Sequence, residues 1–483
     1  MKKLCVAICL VLCLFQVTAC QSTEPENTAS YQINAALCDD MTLSYNMTYE
    51  FVKPSDDSEN ETRFLLYPNA FRQGAKIKPL YASYYEKAYP NGASYGSILV
   101  KKTLVNGKVA EFEITGEDDN VLAVKSECYQ KGKQNVIYME CLVKIPNVLH
   151  RFGYGDNTIN LTSFYPVAVT KYKGDYYENV YYPSGDPFYS VCADYDVNLT
   201  VPSEYVVASS LSPTKTEVYG FKTKYSYSRE GVRDIAFILS KNFKVLKSQS
   251  KNASVYYYYF NDMSPEKSID TAVKSLDFYS DNFCEYPYEE YVVCEADFIY
   301  GGMEYPCLTF IDKNLENEDR DYCIAHETAH QWWYGIVGVN QSEDGYIDEG
   351  LTEYSTVRFF DEAKGDELNK IKAIENVKNT YAQIRKIVAE KGGDAVPKMN
   401  RNLKDFSSDM DYVSVAYYRS QIMFFELEEY LGKRNFNRFL DKIIKNYSYK
   451  NLNTEDLLDV AKSVKSSSKK FLQDYINGVT PIN

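Results

Sequence analysis

The segment HETAHQWWYG, His326 to Gly335, holds two of the three histidines in a chain of 483 residues. They stand four apart, and Glu327 follows the first. On a helix, positions i and i+4 project from one face about one turn apart, so both imidazoles can reach a single ion. A catalytic zinc ion typically takes three protein ligands and keeps a further position for water. The third ligand has to come from another element. The best candidate is Glu349 in IDEGLTEYS, 19 residues after His330. A turn near Gly345 and a helix from about Asp348 would bring that carboxylate beside the first helix.

H-E-x-x-H followed by eighteen residues and a glutamate resembles the gluzincin metallopeptidases, specifically the aminopeptidase N and leukotriene hydrolase type. HETAHQWWYG and DEGLTEY are similar to that family's two zinc-bearing helices. GGMEY, Gly301 to Tyr305, is similar to its G-x-M-E-N exopeptidase signature, and YVSVAYYRS, Tyr412 to Ser420, to the segment with its catalytic tyrosine. The resemblance implies one zinc ion per chain, held by His326, His330 and Glu349. It implies Glu327 as the general base, which takes a proton from the attacking water and passes it to the leaving amine. It also implies Tyr417 as the hydroxyl that steadies the developing oxyanion, with Tyr412 packing nearby.

Within the signature, Gly301 and Gly302 allow close backbone approach at a strand edge, where an extended peptide can pair. Met303 leads to Glu304, whose carboxylate would hold a cationic α-amine and so favour removal of one residue from the amino end. Glu353, four residues after Glu349 on the same helical face, is open between two roles: a hydrogen bond to a zinc-ligating histidine, or a solvated or helix-pairing carboxylate. Cys323 reads as a core thiol or disulfide partner, and His150 as a structural histidine.

The chain departs from the family pattern at Tyr305, where asparagine is usual, and at Tyr418-Arg419-Ser420, in place of Glu-Lys-Gly. These changes put the shape of the substrate pocket in doubt. The 66 residues after Tyr417 leave room to finish a catalytic domain, which suggests a more open cleft than in relatives with a large helical domain.

The elements that must position these residues fall into two halves, an α+β arrangement. From Tyr31 to about Lys247 apolar residues recur at every second position, as in LSYNMTYEF and YDVNLTV, which suits half-buried antiparallel strands. Residues 31–247 therefore read as an N-terminal β-sandwich or saddle-like domain. From 248 to 483 the pattern becomes mainly helical, with a small mixed sheet; Ser264-Pro265 starts one helix, and the resemblance implies a thermolysin-like zinc domain. Leu368, Ile371, Ile374, Val377, Tyr381, Ile384 and Val388 form one amphipathic face.

The ends and composition bound the setting. Lys2 and Lys3, an apolar run to Val17, and Val17-Thr18-Ala19-Cys20 resemble a bacterial lipoprotein signal, with cleavage after residue 19 and lipid on Cys20. Residues 20–30 read as a polar tether, so the protein is expected at the outer face of the cell membrane. The net charge is −14, and loss of two lysines with the signal makes it more negative. That argues against nucleic acid or anionic lipid surfaces as partners and suits amine-bearing substrates. Eight cysteines outside the signal and Cys20 leave disulfides and free thiols equally open. The expected function is a zinc aminopeptidase acting on peptides with a free amino terminus. A zinc endopeptidase on the same site, or a catalytically silent binding lipoprotein, are the alternatives; oligomeric state is left open.

Overall fold

A computed structural model describes residues 29–57, 59–363, 370–394 and 396–482. The expected signal 1–19, Cys20, most of the tether and Leu368 lie outside the described residues. The end of the tether needs correcting: Ala29 and Ser30 already belong to strand β1 (Ala29–Leu37), where Ser30 pairs with both Glu50 and Asp194.

The alternation in the sequence becomes the inward face of a large sheet. Tyr31, Ile33, Ala35 and Leu37 of β1 point into the core, as do Leu43, Tyr45, Met47 and Tyr49 of β2 (Thr42–Val52). Tyr195, Val197, Leu199 and Val201 of β3 (Ala193–Pro202) do the same. These strands belong to an eight-stranded sheet, accompanied by two four-stranded sheets. The sheet is not wholly antiparallel, because β1 lies between antiparallel β2 and parallel β3. Tyrosine fills much of this core: Tyr31 stacks on Tyr195 with ring centroids 4.9 Å apart, and Tyr165 donates from its hydroxyl toward Tyr195, 3.0 Å away.

The division between halves falls a little earlier than residue 247. Strand β4 (Ala236–Ser240) lies inside a four-stranded sheet of the first domain, whereas β5 (Lys244–Gln249) pairs with β6 (Ser254–Tyr259) of the second. A break at 247/248 would cut β5 in the middle of its ladder. The second sheet runs β5-β6-β7-β9-β8, with β7 (Glu290–Ala296), β8 (Gly302–Met303) and β9 (Leu308–Asp312). Its β6–β7 and β7–β9 pairs are parallel and the others antiparallel. Helix α1 (Pro265–Asn282) crosses from β6 to β7, as parallel neighbours require. Helices α2 (Asn317–Ala329), α3 (Tyr346–Glu362) and α4 (Ser420–Leu431) pack in succession behind the short edge strand β8.

Buried polar groups lock the two domains together. Arg233 of the first domain is 1% exposed and donates to the carbonyls of Tyr334, Ser190 and Lys450 at 3.0, 2.8 and 3.1 Å. Gly338 makes this possible, since a β-carbon there would overlap the guanidinium. Nearby, the Tyr172 hydroxyl donates to Asp344 at 2.7 Å, and Thr454 donates to its other oxygen at 2.6 Å.

Burial raises the Asp344 carboxyl to about 6, with the Thr454 and Tyr172 hydroxyls pulling the other way. A carboxyl that ionises near 4 when unfolded and about 6 when folded holds its proton better in the native state. Its ionisation therefore costs stability: nothing below about pH 4, and about 3 kcal/mol once the pH exceeds both values. The variant Asp344→Asn is expected to melt like the parent at pH 4 and to be the more stable of the two at pH 7.5. Thermal denaturation across that range reads the difference.

Candidate active site

The imidazoles of His326 and His330 stand one helical turn apart at the end of α2, their Nε2 atoms 3.2 Å from each other. Helix α3 runs antiparallel beside it and brings Glu349 Oε2 to 3.4 Å from each of those nitrogens. The protons on the rings follow from the partners. After His330 the backbone leaves the α-helical path, with Trp333 at φ −94° and ψ 56°, and the Trp333 carbonyl lies 3.0 Å from His330 Nδ1. A carbonyl only accepts, so Nδ1 carries the proton and Nε2 presents a lone pair. His326 Nδ1 faces Glu353 Oε1 at 3.2 Å, an acceptor that favours the same tautomer. Of the two roles open for Glu353, the geometry shows the contact with His326.

The Nε2 atoms of both imidazoles and a carboxylate oxygen thus face one another. Three ligands bound to tetrahedral zinc at about 2.0–2.1 Å lie about 3.3–3.4 Å apart. The observed edges of 3.2, 3.4 and 3.4 Å match that triangle. Glu349 Oε2 has no hydrogen-bond partner among the described residues. Burial lowers the affinity of both imidazoles for protons, yet the carboxylates of Glu349, with Glu353 at His326 and Glu304 at His330, raise both well above the ordinary value. The centre demands positive charge, and its donor set and spacing fit zinc.

Glu327 is 5% exposed, and its Oε2 has no hydrogen-bond partner among the described residues. Burial pushes its carboxyl up and His326 pulls it down, while Glu304 and Glu349 push up again. A dication beside it would act in the same sense as His326. The backbone of Gly302 presses against this side chain, since a β-carbon there would overlap the Glu327 carboxylate.

Strand alternation sorts the signature residues. Gly301, Gly302 and Glu304 line the cleft, whereas Met303 is buried, its sulfur 3.0 Å from Arg151 Nε. Met303 therefore braces the cleft wall and does not face a substrate, a correction to the expectation for that residue. Glu304 is 3% exposed and accepts from Gln341 Nε2 at 2.7 Å; the same nitrogen reaches Asp348 Oδ2 at 3.0 Å. No ion pair of Glu304 occurs among the described residues. Oxygen atoms of Glu304 and Glu327 and a nitrogen of His330 lie within 4.8 Å of one another.

The tyrosine frame holds in space. A π-helical turn, Ser414–Arg419, precedes α4. In an α-helix Tyr412 and Tyr417 would point in different directions; the wider turn brings both to the cleft. The Tyr417 hydroxyl donates to Glu349 Oε1 at 2.6 Å, and its ring lies nearly parallel to that of His326. Tyr418 does not line the cleft.

The cleft encloses about 480 Å³ between the domains. The first domain supplies a wall that the sequence reading missed: Arg151, paired with Asp186 in the YPSGDP turn, and Tyr84. Gln341 and Asp348 were missed too; nothing in their spacing sets them apart from ordinary helix-start residues. The departures from the family pattern point elsewhere. Tyr305 is fully buried between Phe188 and Phe310, away from the cleft. Arg419 donates to the carbonyls of Tyr475 and Thr480 at 3.1 and 2.8 Å, tying down the C-terminal segment. Neither lines the cleft. His150 is buried against Phe71 and Tyr300, and Cys323 lines the cleft with its sulfur 3.9 Å from Glu327 Oε1. All eight cysteines from Cys38 to Cys323 are free thiols.

Comparisons with known proteins agree with this geometry. Residues 267–475 match the family model for the peptidase family M1 domain. The chain is 29% identical over 195 residues to leucine aminopeptidase 2-1 of Meyerozyma guilliermondii, covering 39% of this chain and 31% of that protein. It is 29% identical over 187 residues to leukotriene A-4 hydrolase of Xenopus laevis, covering 38% and 28%. The match therefore spans less than a third of either relative. In three dimensions it resembles the M1 zinc metallopeptidase of Deinococcus radiodurans, with TM-score 0.65, 16% identity, and coverage of 94% of this chain and 95% of that one. Yeast LTA4 hydrolase in complex with bestatin gives TM-score 0.66 at 17% identity, over 95% and 68%. The segment from 267 to 475, with its three clustered ligands and both cleft tyrosines, thus matches the peptidase family M1 domain, and the fold of the whole is similar to that of M1 zinc metallopeptidases.

Proposed function

We propose that this chain is a zinc-dependent aminopeptidase that removes amino-terminal residues from peptides. The observation that carries the reading is the pairing of the His326–His330–Glu349 triangle with a second carboxylate, Glu304, that lines the cleft and makes no ion pair with a lysine or arginine among the described residues. Zinc, when bound, would lower the pKa of a water to near 7 and polarise the scissile carbonyl. Glu327 takes a proton from the attacking water and delivers it to the leaving amine. Tyr417, which donates to Glu349 in the structure, turns its hydroxyl to the developing oxyanion. The free edge of β8 at Gly301 and Gly302 pairs with an extended substrate backbone. Glu304 receives the α-ammonium and is held in position by Gln341. A related M1 metallopeptidase of Deinococcus radiodurans was crystallised with a Tyr-Ser-Ala substrate, a short peptide of the kind proposed here. Tyr305 lies in the core, so the departure at that position lends no support to an endopeptidase.

We also place the enzyme at the outer membrane face, anchored through Cys20. The support is the sequence around Val17 to Cys20, together with the absence, among the described residues, of a helix long and apolar enough to cross a bilayer. Replacing Cys20→Ser should move the exported chain from the membrane fraction to the soluble one, and a variant still sedimenting with membranes would count against the anchor.

Amino-acid arylamides and their acetylated counterparts test the activity. Cleavage of free-amine compounds alone, abolished by a zinc chelator, is expected; cleavage of acetylated compounds would indicate an endopeptidase. In Glu304→Ala the preference for a free amine should fall at least tenfold in kcat/KM. Gly302→Ala should lower kcat by about two orders of magnitude by displacing the Glu327 base while zinc content, measured by elemental analysis, stays at the parent level.

A further inference from the structure

The contact between His326 and Glu353 does not end at Glu353. Its other oxygen, Oε2, accepts from the Tyr322 hydroxyl at 2.6 Å and from Gln421 Nε2 at 3.2 Å; the same Gln421 nitrogen lies 3.2 Å from the Glu353 carbonyl. With both donors on Oε2, Oε1 is left to His326 Nδ1, 3.2 Å away. The arrangement has a simple origin in the two antiparallel helices. Tyr322 precedes His326 by one turn on α2, and Glu353 follows Glu349 by one turn on α3. Stepping one turn from the zinc triangle along both helices therefore brings a phenol and a carboxylate together, as the triangle itself brings imidazole and carboxylate together.

The geometry points to Tyr322 as a positioning residue for the metal centre, acting through Glu353 to hold the His326 ring in the orientation and tautomer that offer Nε2 to zinc. This rests on the zinc reading proposed above. A carboxylate on a torsionally free glutamate side chain can rotate away from an imidazole; the phenol on one side and the Gln421 amide on the other remove that freedom. The Tyr322 ring is itself fixed, stacked on Phe360 with centroids 5.7 Å apart and planes 6° from parallel. Tyr322 also lines the cleft, so its hydroxyl sits where solvent would otherwise compete for Glu353.

The purely structural alternative is that Tyr322 fills space between α2 and α3. The substitution Tyr322→Phe separates the two, because it keeps the ring and its stacking and removes only the hydroxyl. The measurement is zinc affinity of the full chain by competition with a fluorescent chelator, for the parent, Tyr322→Phe, Glu353→Gln and the double variant, each with the melting temperature of its metal-free form. Loss of a group that orients a metal-ligating histidine typically costs 10- to 100-fold in affinity. The expected result is about tenfold weaker zinc binding in Tyr322→Phe with an unchanged metal-free melting temperature, and a double variant no weaker than Glu353→Gln alone, since the tyrosine acts through the glutamate.

Parental zinc affinity in Tyr322→Phe would overturn the inference. So would effects of the two substitutions that simply multiply in the double variant, which would mean that Tyr322 acts independently of Glu353. A parent chain that binds no zinc is a different outcome, overturning the zinc reading and this inference with it.

Discussion

Three lone pairs forced together in a buried space govern the second domain. His326 Nε2, His330 Nε2 and Glu349 Oε2 repel one another unless a cation sits among them, and burial makes that repulsion stronger than it would be in water. Everything around the triangle holds it closed against this force. The Trp333 carbonyl lies 3.0 Å from His330 Nδ1 and Glu353 Oε1 lies 3.2 Å from His326 Nδ1, so both outer ring nitrogens face acceptors. The departure of the chain from a helical path after His330 supplies that carbonyl. The Tyr417 hydroxyl donates to the other oxygen of Glu349. A metal site assembled this way is pre-organised: the protein has already met the cost of gathering the ligands, and the ion gains what they lack.

The same constraint explains why glycine stands at 302. The Glu327 carboxylate, the proposed base, lies directly against the backbone of Gly302 at the edge of the small sheet. With a side chain on that strand the carboxylate of Glu327 would be pushed off its position. The glycine lets backbone and carboxylate touch, and strand alternation then places Glu304 on the cleft side two residues later while Met303 turns toward Arg151. One short strand of two paired residues thereby sets the distance from the zinc triangle to the carboxylate proposed to anchor the amine.

How much of this was readable depends on the distance in sequence over which each feature is decided. The period of two in the first half is local, and Tyr31, Ile33, Tyr45 and Met47 turn inward as it requires. The two histidines and Glu349 are local to two helices and could be set side by side from spacing alone. The parallel pairing of β1 with β3 joins residues more than 160 positions apart, and no periodicity encodes it. Tyr305 looked like a change to the pocket because it follows Glu304; its burial depends on Phe188 of the other domain, which the signature does not contain. Tyr322 could have been noticed, since it lies at i−4 from His326 as Glu353 lies at i+4 from Glu349, but among 46 tyrosines that spacing carries meaning only once the helices are known to be antiparallel.

The least legible part of the site is the wall from the first domain, and it is also the part with the greatest freedom to set substrate choice. The proposed zinc ligands, the proposed base Glu327 and Glu304 all sit on the second domain, where small displacements are punished by electrostatics. Arg151, Asp186 and Tyr84 sit across a domain seam, on a loop and a short helical turn, held by the Arg151–Asp186 ion pair and by the Tyr84 hydroxyl, which donates to Asp409 at 2.8 Å. Loops on a rigid scaffold tolerate change better than packed helices do. Chemistry is thus fixed by one domain and the shape of the cleft is finished by the other, and the buried Arg233 clamp makes the two behave as one site.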